Sequence, residues 1–243
     1  MGAIEAIKKG FAVTNKNPGL VAILFAFSLI GQFINIKFIG IGETPVSTQL
    51  TEPIILIAII AVAGTFVQAG NLGIIRDYFT EGKIHLINFP KYGLKYFLRL
   101  LGLGLAIAIS AGVVFFVGSL IIMPTAFLNA ILVGSILSII LEGIGFYWVL
   151  LLIALSPYGV VCGELPVIQA MAESVDVTRR FINKVALLFL IIGLISLAWT
   201  EAIKLIPGNN QILISIIDAI FNGYFGVMMP ASCMALYLSL TTE

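Results

Sequence analysis

Six stretches of this chain are long and apolar enough to cross a bilayer, and that feature constrains every other reading. A hydrocarbon layer about 30 Å thick takes roughly 20 residues of α-helix at about 1.5 Å per residue. The stretches lie near 19–41, 53–75, 96–122, 127–161, 183–206 and 211–239. Lipid offers no hydrogen bonds, so backbone groups in such runs must be satisfied internally, and a helix does this within one segment. Composition agrees: 60% of the 243 residues are hydrophobic and 10% are charged, against about 25% charged in soluble domains. The expected fold class is all-α, a polytopic integral membrane helical bundle with six transmembrane helices in a single domain over 1–243.

Proline marks several of the expected boundaries. Pro18, Pro53 and Pro124 each sit near an expected helix start, where a missing N–H costs nothing. Pro207-Gly208-Asn209-Asn210 reads as a turn, and the loop ETPVSTQLTE is polar without helical periodicity. The segment before Pro18 has no apolar core and no cleavage site, so the first apolar run is expected to remain as a helix. The fourth run is the ambiguous one. Glu142-Gly143-Ile144-Gly145 interrupts it, leaving one tilted or kinked helix, a broken helix, or a re-entrant piece followed by a span.

Basic residues orient the chain. Lys8, Lys9 and Lys16 precede the first span, Arg76, Lys83, Lys91, Lys95 and Arg99 surround the second loop, and Arg179, Arg180 and Lys184 surround the fourth. Only Lys37 and Lys204 fall on the other side. The positive-inside rule then expects a multi-pass cell-membrane protein with both termini cytoplasmic. A seventh crossing would move Arg179, Arg180 and Lys184 outside.

The odd-numbered spans follow short amphipathic stretches. Ile4, Ile7 and Phe11 share a face opposite Glu5, Lys8 and Lys9, and Ile168, Met171 and Val175 repeat the spacing opposite Glu173, Asp176 and Arg179. The middle copy, HLINFPKYGLKYFLRLL, is interrupted by Pro90. The pattern suggests three parallel hairpin repeats, 1–82, 83–164 and 165–243, each introduced by a cytoplasmic interfacial helix. Any protein with inner amphipathic loops would give a similar pattern without true repetition.

Several function classes find no support. A net charge of +1 argues against nucleic acid as a partner. Two cysteines allow neither a disulfide framework nor a cysteine metal cluster, and His85, in a loop, is the only histidine. No GxSxG, HExxH or P-loop pattern occurs. No enzyme, cofactor or metal site is therefore expected. The partners implied are the lipid bilayer and, through packed small residues such as Gly104, Ala108 and Gly112, a neighbouring helix, a second copy or another membrane protein.

Ionisable and amide side chains inside apolar runs are expensive and so are candidate sites. Glu142 lies mid-span on one face with Gly134 and Ser138, and Asp218 shares a face with Ser215 and Asn222. Span two adds Thr65, Gln68 and Asn71. Glu142, Asp218, Asn222, Gln68, Asn71 and Ser138 together outline a candidate polar intramembrane cavity of a transporter- or channel-like protein; each equally suits an interhelical hydrogen bond. Arg179, Arg180 and Lys184 are candidate lipid-headgroup contacts. Glu201 and Lys204, one turn apart, read as a solvated ion pair. The alternative function is a non-catalytic membrane module that organises lipid or a partner protein. An intramembrane enzyme acting on lipid is the third reading.

Residues 155–190, LSPYGVVCGELPVIQAMAESVDVTRRFINKVALLFL, carry a looser signal. A span ends in Ser156-Pro157-Tyr158, then come Glu164, Ala170 and Ser174 one turn apart, a basic residue at Arg179 or Arg180, and another span. GNLGIIRDYFTEGK and the tail MALYLSL accompany it. The pattern resembles a poorly characterised group of six-helix prokaryotic membrane proteins that includes the membrane domain attached to some glycerophosphoryl diester phosphodiesterases. The resemblance implies a six-helix fold and no established function. No phosphodiesterase domain is present, so that activity is not implied.

Overall fold

The computed structural model describes residues 1–34, 51–127, 131–206 and 211–242. Helices account for nearly all of them, and no strand occurs among the described residues. The helices are α1 (Ala3–Lys16), α2 (Pro18–Ile34), α3 (Thr51–Glu81), α4 (Phe89–Phe127), α5 (Ile131–Ile153), α6 (Ser156–Cys162), α7 (Val167–Arg180), α8 (Ile182–Lys204) and α9 (Gln211–Thr241). Five spans are long and apolar enough to cross a membrane, and a sixth follows if the bent pair α1–α2 counts as one. The end of the first expected span, the ETPVSTQLTE loop up to Leu50 and the Pro207–Asn210 turn lie outside the described residues.

Local chemistry sets the breaks. Pro18 opens α2, and α1 and α2 meet at 88°. Proline disfavours helical geometry in the residue before it, and Asn17 leaves the helix there with φ −130° and ψ 62°. Its side chain turns back to donate to the Val13 carbonyl at 2.6 Å. Gly82 follows α3 at φ +72°, the left-handed geometry that ends helices cheaply only for glycine.

Two proline expectations change. Pro90 does not interrupt the middle amphipathic stretch: it occupies the first turn of α4, where no intrahelical N–H is needed, so the stretch from Phe89 is continuous with the span. Pro124 lies in the last turn of α4 and not at a helix start. The backbone of the fourth run is helical through Glu142–Gly145, and its break falls later, at Ala154-Leu155, ahead of Pro157.

The helices divide into two compact units, Met1–Phe97 with Ile182–Glu243, and Leu98–Phe181. In the first, α9 packs most extensively on α1 and α2. The contacts are close because glycine removes the side chain. A methyl group on Gly223 would stand 2.8 Å from the Phe25 nitrogen of α2, and one on Gly10 would stand 2.7 Å from the Met228 carbonyl oxygen. Met228, Met234 and Leu236 of α9 are fully enclosed there with Leu20 and Val13. The buried face of α1 is the small one, with Ala3, Ala6, Gly10 and Thr14 beside Ile7. Ile4 and Phe11 of the expected apolar stripe are exposed.

In the second unit, α7 packs on α5 and α6. Here too small residues, Ala170, Ser174 and Thr178, are enclosed, while Ile168 is 81% exposed. Apolar exposure continues along the spans, with Leu98 at 74% and Ile109 at 68%. In water such surface would be costly; in hydrocarbon it is the favoured contact. Gly104, Ala108 and Gly112 also face outward, with nothing within 4 Å of a methyl group placed on Gly104 or Gly112.

Candidate functional site

The most developed polar site is built around Asp218, seven residues into α9 and so about 10 Å from its first residue. Three N–H groups from three helices converge on its half-buried carboxylate. Gln32 of α2 donates its Nε2 to Oδ2 at 2.6 Å. Asn222, one turn on, donates Nδ2 to the same oxygen at 2.8 Å. Trp199 of α8 donates its indole Nε1 to Oδ1 at 3.0 Å. Its ring stacks on Phe221 with centroids 4.2 Å apart and planes 5° from parallel. Phe221 in turn stacks on Phe225.

The sequence paired Asp218 with Asn222 by their spacing. Gln32 and Trp199 were missed. Their signals were present: an amide inside the apolar run FSLIGQFINI, and a tryptophan near a span end, where indoles favour the interface.

Asn71 belongs to a second polar contact. Pro230 lies inside α9 and has no N–H, so the carbonyl four residues earlier, on Gly226, loses its helical donor. Asn71 of α3 donates Nδ2 to that carbonyl at 2.9 Å. Its Oδ1 is enclosed with no hydrogen-bond donor. Gln68 is exposed one turn away, 3.5 Å from Asn71 Nδ2. Thr65 donates to the Ala61 carbonyl within its own helix.

In the other unit, Ser138 borders a small cleft with Gly118 and Ser119 of α4. The side chain of Glu142 lies outside the described residues. Arg179 and Arg180 are exposed in the last turn of α7, where cations complement the helix dipole. The Arg179 guanidinium lies 5.7 Å from the Trp148 ring centroid. Lys184 is half-buried at the start of α8. Glu201 and Lys204 pair at 2.7 Å with both side chains exposed, and His85 is exposed.

The 155–174 motif has a structural logic. Leu155 breaks the helix before Pro157, and Ser174 bridges the break: its hydroxyl donates to the Leu151 carbonyl at 2.8 Å and accepts the Leu155 N–H at 3.1 Å. Ser156 donates to the Leu152 carbonyl. A methyl group on Gly159 would lie 3.3 Å from the Ala170 Cβ, so small residues set this crossing. Glu164 adopts left-handed geometry at φ 52°, and its carbonyl accepts from Arg99 Nη1 at 3.0 Å.

A third polar cluster, on α3 and α4, was not singled out from sequence. Tyr92 donates its hydroxyl to the buried Asp77 at 2.6 Å, and Arg76 donates to the Tyr96 hydroxyl. Lys95 lies 5.0 Å over the Tyr96 ring. Tyrosine and cation together are typical of headgroup depth. Among the described residues, no group of three or more His, Cys, Asp or Glu side chains has metal-binding geometry.

Residues 1–238 match the family described as a domain of unknown function, DUF7847. The chain belongs to the DUF7847 family. That match takes in eight of the nine described α-helices whole and α9 as far as residue 238, so the Asp218, Asn71 and Ser174 contacts all lie within the family's extent. No curated protein and no solved structure matches the chain.

Proposed function

We propose that this DUF7847 chain is a non-catalytic, multi-pass membrane module that holds a lipid acyl chain between α2, α3 and α4. The observation that carries the reading is an open groove lined by Phe27, Ala58, Ile59, Val62, Ala63, Phe66, Val67 and Phe97. Its lining is apolar throughout, and α3 and α4 are apolar enough to span, so hydrocarbon is the medium beside it. Ala58 to Val67 covers about 14 Å of helix, room for a chain laid lengthwise. The two alanines leave depth, and the three phenylalanines give flat apolar surface for dispersion contacts.

In this reading both termini are cytoplasmic. The exposed Ile4, Phe11 and Ile168 then dip into the inner interface, and Arg179, Arg180 and Lys184 meet anionic headgroups. The three-hairpin repeat belongs to the same proposal. It is supported by α1 and α7 each burying a small-residue face, α1 against α9 with its Pro230 and α7 against α6 with its Pro157. Kinship with the phosphodiesterase-attached membrane domain rests on residues 155–190 and brings no activity to this chain.

The test is lipid retention. Ala63→Trp fills the groove from its floor. Lipid carried per protein, measured by mass spectrometry after mild extraction, is expected to fall severalfold while helix content stays unchanged. Equal lipid on the native and filled chains overturns the reading. Transport through a polar cavity is the second reading, favoured by the half-exposed Asp218 carboxylate and exposed Asn222; solute flux in proteoliposomes that is indifferent to Asp218→Asn removes it.

A further inference from the structure

We infer that the lipid in the groove is an anionic phospholipid whose headgroup sits where α2 and α4 begin, beside Lys16, Lys83 and Lys91. The inference rests on the lipid-groove reading and adds to it the class of headgroup.

Two close contacts fix the level of that end. A methyl group on Gly70 of α3 would stand 2.8 Å from the ring of Phe89, the first residue of α4, and one on Gly19, in the first turn of α2, would stand 2.5 Å from Leu86 Cδ1. A single 3₁₀ turn, Leu86–Asn88, joins the two contacts. The starts of α2 and α4 therefore meet α3 at one level, near Gly70. From there each helix climbs into the groove. Phe27 lies eight residues beyond Gly19, and Phe97 eight beyond Phe89, about 12 Å along each helix. On α3, Val67 and Ala58 lie about 5 and about 18 Å from Gly70. One leaflet is about 15 Å of hydrocarbon, half of the core. The groove thus occupies the depth of a single leaflet, and a chain lying in it has its headgroup at the Gly19–Phe89 level.

The side chains at this level choose the headgroup. Lys16 ends α1, Lys83 follows the Gly82 turn and Lys91 lies in the first turn of α4; all three are exposed. None has an acidic partner among the described residues. Residues 6–34 and 82–97 contain no Asp or Glu, and Glu81 is the nearest acid in sequence. A zwitterionic headgroup carries its own cation and leaves the three lysines uncompensated. An anionic phosphate headgroup supplies the missing counter-charge. In the orientation proposed above, this end faces the cytoplasm.

The test uses the full chain in vesicles of equal parts phosphatidylglycerol and phosphatidylcholine with the same acyl chains. Lipid retained after mild extraction is counted by mass spectrometry. Phosphatidylglycerol is expected to be enriched at least about fivefold, the scale of one basic side chain near anionic headgroups. Replacing all three lysines, Lys16→Gln, Lys83→Gln and Lys91→Gln, is expected to return the ratio towards one while total lipid per chain is kept. Ala63→Trp is expected to lower the total instead. Arg179→Gln with Arg180→Gln, away from the groove residues in sequence, is expected to keep the enrichment. If the lysine variant fails to insert, the unmodified chain in about 1 M sodium chloride decides, because screening there acts within about 3 Å and the enrichment must fall. Retained lipid in the one-to-one ratio of the vesicles overturns the inference and leaves the groove reading standing. Enrichment that persists in the lysine variant, or in high salt, also overturns it. Equal lipid on the native and Ala63→Trp chains overturns the groove reading, and this inference with it.

Discussion

Asn71 supplies to α9 a hydrogen bond that α9 cannot make for itself. Pro230 has no N–H for the Gly226 carbonyl, and the Asn71 side chain takes that place at 2.9 Å. Interhelical hydrogen bonds in membranes are worth about 0.6–2 kcal/mol. Asn71→Leu is therefore expected to lower stability by about 1 kcal/mol, read as a lower thermal midpoint in detergent. On a Pro230→Ala background the helix regains its own donor, so Asn71→Leu should cost distinctly less there. Equal losses on both backgrounds would remove Asn71 from this role. The sequence identified Asn71, Asp218 and Asn222 as polar residues in apolar surroundings. It could not identify their partners, since Gln32 lies 186 residues from Asp218 and Gly226 lies 155 from Asn71, and spacing rules report only neighbours on one helix.

At the scale of elements, helix existence was the most legible property and helix faces the least. Long apolar runs have one low-cost backbone solution in lipid, so α3, α4, α8 and α9 appear where hydropathy placed them. The amphipathic spacing of α1 and α7 marked an apolar stripe through Ile4, Phe11 and Ile168, which is exposed; it did not mark the buried face, where close approach selects small residues instead. Gly10 and Gly223 are the clearest cases. Gly223→Val is expected to force α2 and α9 apart at Phe25, costing about 1–3 kcal/mol, the usual range for overpacking. Gly193, with nothing within 4 Å, provides the control: Gly193→Val should leave the thermal midpoint almost unchanged. A smaller loss at Gly223 than at Gly193 would overturn the account of the α2–α9 contact.

For the whole molecule, orientation is a charge argument and is open to direct measurement. Single-cysteine chains with Cys162 and Cys233 replaced are expected to react with an impermeant maleimide at Lys204→Cys in intact cells, and at Thr242→Cys only after permeabilisation. The reverse pattern would invert the topology. Another consequence concerns the order in which the chain is made. Asn71 leaves the ribosome long before Gly226, so the donor is already in the membrane when the last span arrives with its unpaired carbonyl. Docking α9 against α3 completes that backbone pairing late in biosynthesis. A chain whose α3 is missing or misplaced would leave the Gly226 carbonyl without that donor, and an unpaired peptide group away from water costs several kcal/mol.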